Sequence, residues 1–260
     1  MKRWLWACAL FAVGLAHAEE AATVTGFLNK TVDVAGGARK YVLYVPADYA
    51  PEKPWPMIVF LHGAGERGDD GLVQAEVGLG AAIRRDPARF PAIVVMPQCP
   101  ANAFWDTSIP AIEGAMAQTT AAYNIDPERV YLTGLSMGGY MTWIWGARKT
   151  DTFAALLPIC GGGDLADIRR LIGAKGRAAD LGTPEARITA LATVPIWAAH
   201  GANDSVVKPE RSREMVDKVK AAGGDIHYTE YPNTDHNSWD ATYADKAIVD
   251  WLFTQRLKKK

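Results

Sequence analysis

The sequence predicts an α/β protein with a mostly parallel central sheet and helices on both faces. Short β-branched and aromatic runs alternate with longer helical stretches along most of the 260 residues. Two of the runs, 57–61 and 92–96, are continuously apolar, as strands buried on both faces are. Finally, Gly134-Leu135-Ser136-Met137-Gly138 sets a serine between glycines, after a strand pattern and before an apolar helix. That is the G-x-S-x-G pattern of a sharp strand-to-helix turn that exposes a serine hydroxyl.

Taken in order, residues 40–45 alternate Tyr, Leu and Val and read as the first strand. Strand 57–61 follows, then a helix over 73–85, strand 92–96 and a helix over 109–123. Strand 130–134 enters the serine turn, and the helix 137–149 leaves it. Strands 154–159, 195–199 and 226–231 complete the sheet, with helices at 209–222 and 241–257. The 164–193 segment is too short for a large cap domain; a small helical excursion fits, leaving an open site. No internal repeat or linker divides the chain, so one domain over 19–260 is expected.

The first 18 residues read as a signal peptide. Lys2 and Arg3 are basic, 4–15 is an apolar run too short to span a bilayer, and Ala16-His17-Ala18 is a small-x-small cleavage site. A secreted or periplasmic protein beginning near Glu19 is expected. Its charge falls from −1 to −3 on losing Lys2 and Arg3. No basic stripe suggests nucleic acid, and Lys258, Lys259 and Lys260 read as a solvated tail. Cys99 and Cys160 end strands that are not expected to be neighbours, so two free thiols are favoured over a disulfide.

A serine hydroxyl needs a base, and the base needs an orienting acid. For this kind of turn the chain order is serine, acid, histidine. His236 lies on a polar loop after the last strand and is the base candidate; His227 sits within a strand pattern and reads as structural. The acid candidate is Asp204 in His200-Gly201-Ala202-Asn203-Asp204, with His200 shaping the turn that presents it. Asp164 is the alternative, and Asp235 is too close in sequence to His236 to be preferred. Oxyanion donors are expected from Met137 N–H, at a helix start, and from Ala64 N–H (or Gly63) in the loop His62-Gly63-Ala64-Gly65-Glu66-Arg67-Gly68. Glu66 and Arg67 read as a structural pair. Neither a phosphate-loop signature nor metal-ligand spacing is present, and this chemistry calls for no metal or cofactor.

These motifs, with Pro97-Gln98-Cys99-Pro100, Trp105 and Trp239, resemble the α/β-hydrolase superfamily over about 25–257. Within it the resemblance is to secreted bacterial esterases of the polyhydroxybutyrate-depolymerase, feruloyl-esterase and predicted-peptidase groups. It implies ester hydrolysis through an acyl-enzyme intermediate, with Ser136, Asp204 and His236 as the triad. Feruloyl or acetyl esters borne on polysaccharide are the expected substrates. Trp105, just past a strand's carboxyl end, is placed as a wall of the substrate pocket, and Trp239 as a second contact. Trp143 and Trp145 on the helix after the serine read as packing. The alternatives are a serine peptidase using the same triad and a binding protein that has lost activity.

Overall fold

The computed structural model describes residues 24–257. The signal peptide expected at 1–18 and the three terminal lysines lie outside the described residues. The strands are β1 (Gly26–Val34), β2 (Gly37–Val45), β3 (Trp55–Leu61), β4 (Ile93–Pro97), β5 (Ile125–Leu135), β6 (Ala155–Ile159), β7 (Ile196–Gly201) and β8 (Ile226–Tyr231). They form one sheet in the order β1-β2-β4-β3-β5-β6-β7-β8. β2 pairs antiparallel with β1 and β4, and every pairing from β4 to β8 is parallel. The helices are α1 (Leu79–Arg85), α2 (Ile109–Ala122), α3 (Met137–Gly146), α4 (Leu165–Leu171), α5 (Pro184–Leu191), α6 (Glu210–Ala221), α7 (Trp239–Ala244) and α8 (Lys246–Thr254).

Side-chain alternation along the central strands divides the apolar residues between two cores. Met57, Val59 and Leu61 face the core covered by α2, α3 and α6, whereas Ile58 and Phe60 face the one covered by α1, α7 and α8. The continuous apolar runs therefore have one cause: both faces of β3 and β4 are buried. Trp143 and Trp145 are fully buried in α3, as packing residues. The exposed His227 stacks on Trp197 with ring centroids 4.7 Å apart.

Three elements differ from the sequence reading. Strand β1 was not foreseen: it is an edge strand, of mixed polar and apolar residues and only partly covered, joined to β2 through the positive-φ Gly36 and Gly37. The expected helix 73–85 is interrupted at Gly78 (φ 61°), so a short 3₁₀ turn (Val73–Ala75) precedes α1. The expected helix 241–257 breaks at Asp245, whose carboxylate accepts the Ala247 N–H at 2.9 Å and starts α8 as a new helix. Cys99 and Cys160 are buried free thiols; β4 and β6, the strands they follow, are separated by β3 and β5.

Candidate active site

The serine turn joins β5 to α3. Ser136 has φ 52° and ψ −115°, a conformation costly for a residue with a side chain. It is held by its N–H, which reaches Ile159 O at 2.9 Å and Cys160 Sγ at 3.2 Å. The flanking glycines allow the close approach. A Cβ on Gly138 would collide with Leu61 O, and one on Gly134 would lie 2.6 Å from the Gly138 carbonyl carbon.

The loops after β7 and β8 bring the acid and the imidazole to this serine. His236 Nε2 lies 2.9 Å from Ser136 Oγ, and His236 Nδ1 lies 2.7 Å from Asp204 Oδ2. Ser136 and His236 stay partly exposed, while the Asp204 carboxylate is fully buried. Burial alone would raise the Asp204 pKa. Hydrogen bonds from His200, His236 and Val207 outweigh it and hold the carboxyl well below the usual range. An imidazole so placed can take a proton from a hydroxyl while the carboxylate stabilises the cation that forms. Neither rival acid touches the imidazole. Asp164 caps α4 through the Ala166 and Asp167 N–H groups, and Asp235 accepts from Ser205 and from the His236 backbone.

The loop after β3 passes beside the serine: a Cβ on Gly63 would lie 3.6 Å from Ser136 Cβ. His62 fixes this loop. Its Nε2 accepts the Cys99 N–H at 2.9 Å, so Nδ1 carries the proton and donates to Gly63 O at 2.6 Å. In a trans peptide the following N–H points away from that carbonyl, so the Ala64 N–H is turned to the opposite side. Met137, the first residue of α3, offers its N–H at the positive end of the helix.

Two sequence expectations are corrected. Trp105 has no exposed surface: its indole donates to His62 O at 3.1 Å and meets the His62 ring edge-on. It supports the loop from beneath and walls no open pocket. Glu66 and Arg67 do not pair; Arg67 donates to the carbonyls of Ala64, Ala103 and Ile172. Glu66 instead has a buried oxygen without a hydrogen-bond partner, and burial raises its carboxyl pKa. Trp239 stands perpendicular to His236, with ring centroids 5.5 Å apart.

The place of Cys160 beside the serine turn was not foreseen from the sequence. The cysteine adopts φ 43° directly after β6 and puts its sulfur at the serine turn; only its position after a buried strand hinted at this. Its sulfur, an Asp204 oxygen and a His236 nitrogen lie within 4.8 Å of one another, near enough to consider as metal ligands. The carboxylate and imidazole are already bonded to each other, the Cys160 sulfur accepts the Ser136 N–H at 3.2 Å, and burial pushes its thiol up.

A mostly parallel sheet with a serine turn after β5, and with carboxylate and imidazole on the loops after β7 and β8, defines the α/β-hydrolase fold. Within it the chain belongs to the dienelactone hydrolase family, whose sequence model matches residues 82–247. The crystal structure of a thermostable esterase is 35% identical, with a TM-score of 0.73, over 88% of this chain and 63% of that one. A ferulic acid esterase from Anaeromyces mucronatus, solved with ferulic acid, shares the fold at 17% identity and a TM-score of 0.64, covering 91% and 93% of the two chains. Among curated proteins, a bifunctional acetylxylan esterase/xylanase from Neocallimastix patriciarum is 26% identical over 210 residues, 77% of this chain and 27% of that protein. The chain spans 29% or less of the length of the curated relatives it matches. Among the described residues no helix is long and apolar enough to cross a membrane.

Proposed function

We propose that this chain is an exported serine carboxylic-ester hydrolase. The observation that carries the reading is the unbroken hydrogen-bonded series Ser136 Oγ, His236 Nε2, His236 Nδ1, Asp204 Oδ2, at 2.9 and 2.7 Å. Ser136 Oγ attacks the ester carbonyl as His236 Nε2 takes its proton, and Asp204 stabilises the imidazolium. The Met137 and Ala64 N–H groups bind the oxyanion. His236 then returns the proton to the departing alcohol, and a water activated by the same imidazole releases the acid from Ser136. Feruloyl or acetyl esters on polysaccharide are the favoured substrates. The names of the relatives support this, and a partly exposed Ser136 suits an ester carried on a polymer. Trp239, beside His236, would contact the bound ester. The amino-terminal signal pattern supports export.

The test is hydrolysis of p-nitrophenyl acetate, p-nitrophenyl butyrate and methyl ferulate by the chain from Glu19 on, with Ser136→Ala in parallel. Turnover should fall by roughly 10³-fold or more in the variant. Equal activity in both proteins removes Ser136 as nucleophile, and no activity on any ester removes the esterase reading.

A further inference from the structure

We propose that His200 is a positioning residue for Asp204, holding through its Nε2–H the same carboxylate oxygen that faces His236. The role in catalysis rests on the esterase reading above; the hydrogen-bond assignment does not.

His200 lies on β7, one residue from the strand's end, and is completely buried. Its Nε2 is 3.1 Å from Asp204 Oδ2 and 2.9 Å from Val207 O. Both are acceptors, and a bare nitrogen lone pair would face two oxygens there. Nε2 therefore carries a proton. At the other side of the ring, Nδ1 lies 2.7 Å from Ser212 Oγ on α6, which is itself 2.9 Å from Gly161 O. If Nδ1 is bare it accepts the Ser212 hydroxyl; if protonated it donates to that oxygen while the hydroxyl serves Gly161 O. The Nε2 proton stays in place in either case.

With this donor counted, all four acceptor sites of the Asp204 carboxylate are filled. Oδ1 takes the N–H groups of Val206 and Val207 at 2.9 and 2.8 Å, and Oδ2 takes His236 and His200. Two of those donors belong to the acid's own loop and one to the base. His200 is the donor anchored in the sheet, so it ties the carboxylate to the frame that also carries Ser136. It also shares the negative charge that would otherwise be turned wholly on His236. The other titratable groups facing this cluster are Cys160 after β6 and Asp235 beside His236. Glu230 on β8 faces His200, with Arg213 of α6 paired to it.

The first test needs no substrate. Side-chain ¹⁵N spectra of the wild-type chain should show His200 Nε2 protonated near neutral pH; an unprotonated Nε2 overturns the proposal. The second compares His200→Gln, whose amide N–H reaches the Nε2 position, with His200→Leu, which fills the space without a donor. Melting curves for both establish that they fold. His200→Leu should lower kcat by roughly 10- to 100-fold at unchanged KM, because a misplaced carboxylate leaves His236 poorly oriented. Its acid limb in kcat/KM should move to higher pH, because an unshared carboxylate favours the charged imidazole of His236. His200→Gln should restore both. Equal losses in the two variants with an unmoved acid limb reduce His200 to packing and sink the proposal, as does a fully active His200→Leu. If His200→Leu does not fold, the wild-type spectrum and the pH profile of His200→Gln still decide it. If no ester is turned over, the esterase reading alone fails. The far-downfield proton between His236 and Asp204, present in the wild type and His200→Gln and lost in His200→Leu, still judges His200.

Discussion

Among single residues, His62 links stability to the site most directly. It has no exposed surface, and burial lowers its pKa to about 4. The unfolded chain binds a proton near pH 6.5, so between those values the unfolded state is the more protonated. Stability from neutral His62 is thus complete above about pH 6.5 and is lost as pH falls toward 4, by up to about 3 kcal/mol. Urea unfolding at pH 7 and pH 4.5 should show a steeper loss for wild type than for His62→Asn; equal losses would exclude His62 as the cause. That Ser136, Asp204 and His236 come together was foreseeable from the sequence, because the chemistry proposed for them restricts both residue type and chain order. Trp105 was not, because a tryptophan past a strand end can face a cleft or the core, and only the packing of His62 against it decides. Nor was the separation of Glu66 from Arg67, since Glu66 ends a short 3₁₀ turn and Arg67 leaves it in extended conformation, which sends the two side chains different ways.

Loops and strands determine whether the acid and the imidazole meet. Asp235 joins the two loops: its Oδ1 accepts Ser205 N–H at 2.8 Å, the Ser205 hydroxyl at 3.1 Å and His236 N–H at 2.8 Å. Ser205 follows Asp204 directly, so one exposed carboxylate fixes the spacing of Asp204 and His236. Asp235→Ala should lower kcat by about 10- to 100-fold through misplacement of His236, with little change in melting temperature. Asp235→Asn keeps an acceptor oxygen and should recover most of the activity; two equally impaired variants would show that charge, not the shared acceptor, matters. The sequence pointed away from this role, because closeness to His236 argued only against Asp235 as the triad acid. The central strands were easily read from their apolar runs. Strand β1 was hidden because an edge strand with polar residues carries no such run, although Gly36-Gly37 marks its turn. The division between α7 and α8 was missed for the opposite reason: apolar spacing continues through Asp245, whose capping bond alone ends one helix and begins the next.

On the scale of the whole molecule, the 164–193 excursion is fastened beside the site by a buried charge pair. Arg169 meets Asp106 with both carboxylate oxygens, at 2.8 and 2.9 Å, and Ala179 N–H adds a third bond at 3.1 Å. The same guanidinium holds Lys175 O and Gly176 O, while Arg67 ties Ile172 O to Ala64 O of the serine-side loop. Burial raises the Asp106 carboxyl pKa even against Arg169, so desolvation consumes much of what the pair gains. Such a pair specifies where the excursion docks more than it adds net stability. Removing one charge leaves the other buried and unpaired, at a cost of about 3–5 kcal/mol, whereas an apolar pair of similar size can be nearly neutral. Asp106→Ala should therefore lower the melting temperature and open 172–182 to limited proteolysis. Asp106→Leu combined with Arg169→Met should melt near the wild type yet still be cut there, because the carbonyls of Lys175 and Gly176 lose their donor. Protection of that segment in the double variant would show that apolar packing, not the ion pair, seats the excursion.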